Sequence, residues 1–171
     1  MMTCKGARRA HQRGVSIVEA LVALVVLSAG MLGIAAMYLE SVRANRTALT
    51  RTTAVHLVND MADRIRANRG GRANYVVERG AAPPAAEVDC AAQDCTPAAL
   101  AAYDLEQWYQ AVLASLPESL DGTDPEIEVQ YVAGATSLDP GRYVVLAAWQ
   151  EPGGTDFLTA QVEVLQIGGP S

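Results

Sequence analysis

The longest apolar stretch of the chain runs from Gly14 to Leu39. Within it, the twenty residues 20–39 carry no charged side chain, and Glu19 stands directly before them. A helix rises about 1.5 Å per residue, so this run is about long enough to cross the hydrocarbon core of a bilayer. The pattern predicts a helix over residues 16–39 that is apolar on every side and able to span a membrane.

The predicted helix continues past the apolar run, because residues 40–68 contain neither proline nor glycine. In its later part, apolar side chains recur at helical spacing, which indicates one buried face. The residues of this face are Val55, Val58, Met61, Ala62 and Ile65. Gly70 and Gly71 end the pattern. We therefore predict one long helix whose first half is hydrophobic all round and whose second half is amphipathic.

A second, shorter helix is predicted over residues 97–115, after a loop-like segment at residues 71–96. Thr96 is suited to the N-cap, and Pro97 to the first helical position, where its missing N–H costs nothing. Pro117 stops the helix. The expected buried face comprises Leu100, Leu105, Trp108, Val112 and Leu116.

The last third of the chain has the alternation and the turn signals of β-strands. Residues 126–132 alternate between apolar and polar, residues 143–150 are rich in strand-forming types, and residues 157–167 continue the pattern. Turn signals separate these segments at residues 139–141 and 152–154. Three strands joined by short turns predict an antiparallel meander, with the amphipathic half of the long helix covering its apolar face. The expected fold class is α+β.

Charge is distributed unevenly along the chain, although its net value is only −6. Residues 1–14 carry four basic residues and no acid, and residues 40–79 carry eight arginines against four acids. From Gly80 onward there are fourteen acids and a single base, Arg142. Phosphate binding requires a positive surface, so the acidic body argues against a nucleic-acid partner. The arginines are expected to line a solvated helix face that pairs with acids of this domain or of a neighbouring subunit.

Two of the three cysteines, Cys90 and Cys95, have four residues between them in an alanine-rich segment. If this region is extracytoplasmic, the pair is expected to form a small disulfide. A metal site would need a further pair of cysteine or histidine ligands, and redox sites usually separate their cysteines by two residues. We therefore expect neither a metal nor another cofactor.

No group of residues has the pattern of a catalytic site. His56 stands alone on the long helix, and the glycine pairs lack the lysine and the spacing of a phosphate-binding loop. The acidic residues of 121–126 fit a calcium loop poorly, because a proline interrupts them. The sequence favours a structural or assembly protein over an enzyme.

The apolar stretch begins with the motif GVSIVE at residues 14–19, which follows the short basic leader. This combination resembles the class III signal of type IV pilins and of type II secretion pseudopilins. The resemblance implies a pilin-like fold, in which a long N-terminal helix packs on a small antiparallel sheet with a second short helix. It also implies cleavage after Gly14 by prepilin peptidase and methylation of the new N-terminus at Val15, a position where the family usually has phenylalanine.

We expect three further residues of the apolar helix to matter for assembly or helix flexibility: Glu19, Gly30 and Gly33. A carboxylate at membrane depth is costly unless an opposite charge lies near it. By resemblance, Glu19 meets the cleaved N-terminal amine of a neighbouring subunit during assembly, so the assembled state is favoured. Gly30 and Gly33 are either ordinary glycines of a transmembrane helix or points where the helix loosens or packs closely. The sequence leaves both interpretations open.

Within the family, residues 19–33 and the Trp-bearing second helix are most similar to minor pilins of the PilV type, the type IV pilus modification proteins. The similarity implies incorporation into, or priming of, a pilus together with other minor pilins and the major pilin, in support of adhesion and twitching motility. Further partners would be prepilin peptidase and the inner-membrane assembly platform. Two alternatives remain: a minor pseudopilin of a type II secretion system, and a single-span anchor for a periplasmic binding domain.

The expected organisation has four parts along the chain. Residues 1–14 form the basic leader, 15–39 the transmembrane and assembly helix, 40–69 the amphipathic half of the helix, and 70–171 a periplasmic α+β head. Because positive charge favours the cytoplasmic side, the leader is expected in the cytoplasm. Arginines beyond the apolar run weaken that argument, and the cysteine pair supports the same orientation independently. After assembly the protein would lie in the extracellular pilus.

Overall fold

The structure, a computed structural model, describes residues 14–118, 122–134, 141–151 and 157–165. Its elements in chain order are helix α1 (Ile17–Ala67), a 3₁₀ helix (Arg69–Tyr75), helix α2 (Pro97–Ser115), and strands β1 (Glu126–Val132), β2 (Arg142–Gln150) and β3 (Phe157–Leu165). The chain divides between residues 44 and 45 into two compact units. We call residues 1–44 the N-terminal unit and residues 45–171 the head.

Helix α1 has the extent that the sequence predicted, and its buried face in the head differs from the predicted one at a single residue. The buried residues are Ala54, Val58, Met61, Ala62 and Ile65. Val55, which was expected on this face, is 49% exposed. Successive residues turn by about 100° around a helix, and Ala54 lies closer than Val55 to the centre of the face formed by the other four. The prediction for Val55 was therefore wrong, because it followed hydrophobicity and overlooked the alanine.

A 3₁₀ helix, and not a loop, follows α1 directly. The side-chain oxygen of Asn68 accepts a hydrogen bond from the Gly71 amide at 3.1 Å and caps this short helix. Val77 then forms a single antiparallel bridge with Val129, with N···O distances of 2.9 and 3.0 Å. The expectation of a loop from residue 71 was wrong here, because a side-chain cap and an isolated bridge leave no periodic pattern in the sequence.

Helix α2 begins and ends where the sequence predicted. The Thr96 hydroxyl accepts a hydrogen bond from the Ala99 amide at 3.2 Å, and Pro97 occupies the first helical position. Leu105, Trp108, Val112 and Leu116 are buried as expected, whereas Leu100 is only half-buried. The buried face also contains a charged residue, Asp104, which the apolar pattern did not predict.

The sheet is a three-stranded antiparallel meander in the order β1-β2-β3, as predicted. Val129 lies opposite Val145, and Val145 lies opposite Val162, which places these valines on one face. The predicted turn residues 139–140 and 152–154, and the last two residues of the predicted third strand, lie outside the described residues.

One hydrophobic core joins the buried faces of α1, α2 and the sheet within the head. Trp108 and Trp149 are its largest fully buried side chains. The Trp108 indole N–H donates a hydrogen bond to the Leu57 carbonyl of α1 at 2.8 Å, so the same side chain fills the core and fixes the distance between the helices. The α+β fold class, with one long helix, one short helix and a small antiparallel sheet, is confirmed.

Candidate processing and assembly segment

Gly14 and Val15 immediately precede helix α1. The first helical turn is closed by a hydrogen bond from the Ala20 amide to the Ser16 carbonyl at 3.1 Å. A Cβ atom added at Gly14 would meet no atom within 4 Å, so packing among the described residues does not require a glycine there. Val15 is 72% exposed and accessible next to it. The leader residues before Gly14 lie outside the described residues.

Among the described residues, none covers the apolar run of α1. Every large apolar side chain from Val15 to Leu39 is at least 57% exposed. This part of α1 is long and apolar enough to cross a membrane, and none of it is buried. Soluble monomeric proteins rarely expose so large a continuous apolar surface. The segment is therefore built for an apolar environment that the chain does not itself provide.

Glu19 lies in the first turn of α1 and is exposed. A carboxylate at this end of a helix is favoured by the helix dipole. Among the residues that the structure describes, Glu19 forms no hydrogen bond or ion pair. Its charge is thus available to a partner outside the chain.

Gly30 and Gly33 lie inside the continuous helix, and a Cβ at either position would meet no atom within 4 Å. The Ser28 hydroxyl donates to the Val25 carbonyl at 2.9 Å, the type of bond that bends helices slightly. Neither glycine is required by contacts within the described residues. Loosening of the helix at these glycines stays a prediction.

Cys90 and Cys95 form a disulfide with a Cα–Cα distance of 5.6 Å, as the sequence analysis expected. The bond closes a short loop directly before α2. Upstream of it, the Ala86 amide donates to the Glu106 carboxylate of α2 at 2.5 Å, which holds the preceding segment against that helix. Within the described ranges, no group of three or more potential metal ligands comes together.

A polar network joins α1, the 3₁₀ helix and α2 inside the head. Asp104 accepts hydrogen bonds from Arg64 Nη1 at 3.0 Å and from the Tyr75 hydroxyl at 2.5 Å. Asn68 Nδ2 donates to the Tyr75 hydroxyl oxygen at 3.1 Å and to the Pro97 carbonyl at 2.8 Å. The network links residues far apart in sequence, and it fixes the end of α1 against the start of α2.

The environment of this network shifts two pKa values. Burial raises the pKa of Tyr75, and its hydrogen bond to Asp104 raises it further. Burial lowers the pKa of Arg64, but the hydrogen bonds to Asp104 and Asp60 outweigh this effect and raise it overall. In the folded head, Tyr75 is therefore a neutral donor and Arg64 a cation. The network has the chemistry of a structural contact.

Sequence reasoning missed the network, although one signal for it was present. Asp104 interrupts the apolar face of α2 between Ala101 and Leu105, and a charge at such a position usually has a buried partner. The identity of the partners could not be inferred, because Arg64 lies 40 residues and Tyr75 29 residues away along the chain.

Two family models match adjoining parts of the chain. Residues 36–106 match the family described as Tt1218-like, type IV pilin Tt1218. Residues 9–35 match the prokaryotic N-terminal methylation motif. The second match contains Gly14, Val15 and Glu19, and the first contains the rest of α1 and the disulfide loop. No curated protein and no solved structure gives a significant match.

These matches and the fold agree on one class of protein. The long apolar N-terminal helix, the short second helix and the three-stranded sheet have the arrangement of a type IV pilin fold. Residues 36–106 are similar to a type IV pilin family, and residues 9–35 to the N-terminal signal of prepilin-like proteins. They support a pilin-like protein that is processed at its leader.

Proposed function

We propose that the chain is a minor pilin of the PilV type that enters a type IV pilus or primes its assembly. Its partners would be other minor pilins, the major pilin, prepilin peptidase and the inner-membrane assembly platform, and it would support adhesion and twitching motility. The observation that carries the proposal is the methylation motif at residues 9–35, followed directly by a type IV pilin match at 36–106.

Each part of the chain has a place in this proposal. Residues 1–14 are removed by cleavage after Gly14, and Val15 becomes the methylated N-terminus. Residues 15–39 span the inner membrane before assembly, residues 40–69 continue the helix, and residues 70–171 form the α+β part of the chain in the periplasm. The fully exposed apolar run supports the membrane position, and the Cys90–Cys95 disulfide suits an oxidising compartment.

Glu19 gives the proposed assembly its selectivity. A carboxylate at membrane depth costs about 3 kcal/mol or more when it has no partner. The amine created at Val15 of a neighbouring subunit is a cation of the required charge, and Glu19 has no competing partner among the described residues. The pair is satisfied only between subunits, which favours the filament over the isolated subunit in the membrane.

The processing step is tested by Gly14→Arg in the native host. A bulky cation at this position should block prepilin peptidase, so the variant should stay in the inner membrane with its leader attached and should be missing from sheared pili. Gly30→Ala, which also changes a glycine of this segment without affecting the cleavage site, should be processed normally. Incorporation of the uncleaved variant into pili would contradict the proposal.

The assembly step is tested by Glu19→Ala, with Glu40→Ala as the matched control on the same helix. Glu40 is exposed and lies 4.0 Å from Arg43. The Glu19 variant should remain membrane-bound but fail to enter pili, whereas the Glu40 variant should enter them. Normal function of the Glu19 variant without any filament would favour a single-span anchor. Loss of secretion with normal motility in a deletion strain would favour a type II pseudopilin.

A further inference from the structure

A groove with a volume of about 310 Å³ opens on the surface of the head. Its lining includes Leu49 of α1 and Pro117, the second residue after α2. Leu49 is 72% exposed. Single apolar residues are common on protein surfaces, but this leucine borders a concave site whose walls are mostly apolar. The groove can therefore receive an apolar side chain from outside the head.

The groove also carries a positive charge that the head does not compensate. Arg46 lines it and forms no ion pair with any residue that the structure describes. Glu151 lines it as well, but this carboxylate lies 3.4 Å from Arg51 and accepts a hydrogen bond from the Thr47 hydroxyl. The charge of Glu151 is thus balanced inside the head, and the charge that remains at the groove is that of Arg46.

A short segment after the 3₁₀ helix, residues 76–78, presents the opposite charge beside an apolar side chain. Val76 has an extended backbone, and Val77 is buried and pairs with Val129. Side chains alternate along an extended chain, so Val76 and Glu78 point away from the core together. Val76 is 50% exposed, and Glu78 is exposed and forms no ion pair within the described ranges.

The two pairs of side chains also match in spacing. Arg46 and Leu49 are three residues apart on α1, which places them on one face with their Cβ atoms about 5–6 Å apart. Val76 and Glu78 are two residues apart in an extended chain, which separates them by about 6–7 Å. Val76 can therefore lie against Leu49 while Glu78 lies against Arg46.

These two surfaces are too far apart to meet within one head. Val77 pairs with Val129, and Val129 lies opposite Val145 of β2. Glu151, at the groove, follows Val145 by six residues. A strand rises about 3.3 Å per residue, so the segment and the groove are on the order of 20 Å apart. A contact between them has to join two copies.

We propose that the groove of one copy receives segment 76–78 of a second copy. Val76 enters the groove beside Leu49 and Pro117, and Glu78 pairs with Arg46. Because the two surfaces differ, the contact is heterologous: each copy in a joined pair keeps one free surface, so the contact can continue to a third copy. This contact goes beyond the proposed function, in which no surface of the head has a role, and it requires neither cleavage after Gly14 nor Glu19.

The test is crosslinking between copies of the full-length protein in a mild detergent. Ser115→Cys places a thiol at an exposed position in the groove wall, and Val76→Cys places one in the segment. Cys4→Ser in both proteins removes the cysteine that lies outside the disulfide. When the two proteins carry different affinity tags and are mixed, a short bismaleimide should join Ser115→Cys to Val76→Cys.

Matched thiols show whether the contact is specific and heterologous. Val55→Cys is exposed on α1 but does not line the groove, so it should crosslink poorly to Val76→Cys. Two copies of Ser115→Cys, or two of Val76→Cys, should also crosslink poorly, because a heterologous contact brings unlike surfaces together. All of these positions are exposed, so the variants should fold normally.

Charge reversal tests the ion pair itself. Arg46→Glu in the Ser115→Cys protein, or Glu78→Arg in the Val76→Cys protein, should each lower the crosslinking yield about fivefold, as expected for an exposed pair that becomes repulsive. The two reversals together should restore the yield. Arg43→Glu, which reverses a nearby arginine that does not line the groove, should leave it unchanged.

Three results would overturn the proposal: no crosslink between Ser115→Cys and Val76→Cys, equal yields for the matched control thiols, or no recovery when both charges are reversed. The experiment is made with uncleaved protein in detergent. A retained leader in purified pili would therefore refute the processing claim while the contact between heads stood. Absence of the crosslink, with normal cleavage and pilus entry, would refute the contact alone.

Discussion

The N-terminal unit and the head are both rich in apolar residues, but the described part of the first leaves them exposed and the second buries many of them. In the described part of the N-terminal unit no residue is buried, and only Val42 is even half-buried. In the head, the apolar faces of two helices and a sheet close on one core. The difference lies in patterning, because the first unit is apolar around the whole helix and the head alternates apolar and polar positions.

This contrast separates two kinds of stability. The head satisfies its apolar surface and much of its buried polarity with its own residues, so substitutions there should change its free energy of unfolding. In the described part of the N-terminal unit, the apolar surface is not buried and Glu19 has no partner among the described residues. Substitutions in that unit should change membrane insertion or assembly and leave the unfolding of the head unaltered.

The largest effect is expected for Trp108→Ala. It removes a fully buried aromatic side chain and its hydrogen bond to the Leu57 carbonyl, so the head should lose about 3–5 kcal/mol. Leu24→Ala, in the exposed apolar run, should change the unfolding of the head by less than about 0.5 kcal/mol. Guanidinium denaturation of the full chain in detergent, followed by circular dichroism, measures both. Equal effects would remove the distinction between the two regions.

The second largest loss of unfolding free energy is expected when the polar network of the head is disrupted. Asp104→Asn weakens the contacts to Arg64 and Tyr75, and Arg64 is 34% exposed, so solvent reduces the loss from that of a fully buried pair to about 2 kcal/mol. Asp63→Asn breaks an exposed pair with Arg66 and should cost less than about 0.5 kcal/mol. The comparison uses the same denaturation measurement. A loss in Asp63→Asn matching that in Asp104→Asn would show that burial does not set the strength of these pairs.

Two glycine substitutions, one in the head and one in the N-terminal unit, compare the two regions again. A Cβ at Gly71 would collide with the Pro97 carbonyl oxygen and the Asn68 side chain, so Gly71→Ala should destabilise the head by about 1–3 kcal/mol. A Cβ at Gly30 meets nothing, and Gly30→Ala should leave the head unchanged while favouring the helical state locally by up to about 1 kcal/mol. Hydrogen exchange at the amides of both segments reports the two effects separately. Unchanged protection around residue 71 would contradict the close contact.

The smallest effect is a dependence on alkaline pH. The unfolded chain releases the tyrosine proton near its ordinary pKa of about 10, whereas burial and Asp104 raise the pKa of Tyr75 in the folded head. The folded state then binds more protons than the unfolded state, so the free energy of unfolding falls as pH rises above about 10.

Denaturation between about pH 9 and pH 11 should therefore show a shallower decline in Tyr75→Phe than in the unaltered chain. Burial raises the pKa of Tyr143 as well, so a smaller decline should remain in the variant. Identical slopes for the two proteins would exclude a role for Tyr75.

Secondary structure was largely predictable because it rests on local rules. Thr96 and Pro97 mark the start of α2 by their own chemistry, and the alternation of β1 follows from a sheet with one buried face. The position of Ala54 on the buried face was not predictable in this way. Its hydrophobicity is low, and only the packing of α1 on the head shows that a small residue is needed there.

The processing residues at the start of α1 were predictable from the sequence, whereas the polar network of the head was not. The residues Gly14, Val15 and Glu19 could be singled out in advance because they stand in one continuous motif. Asp104, Tyr75 and Asn68 act through contacts between segments that are distant in the chain, and no spacing rule connects them. A surface groove lined by Arg46, Leu49 and Glu151 is likewise a product of the tertiary fold.

The central claim is that the leader is removed and that the remaining chain enters a filament. Peptide mass spectrometry of pili sheared from the native host tests it most directly. We predict that the protein is present and that its N-terminal peptide begins at a methylated Val15. The claim would be contradicted by an N-terminal peptide that retains residues before Val15 in purified pili, or by cleaved protein that is found only in the membrane.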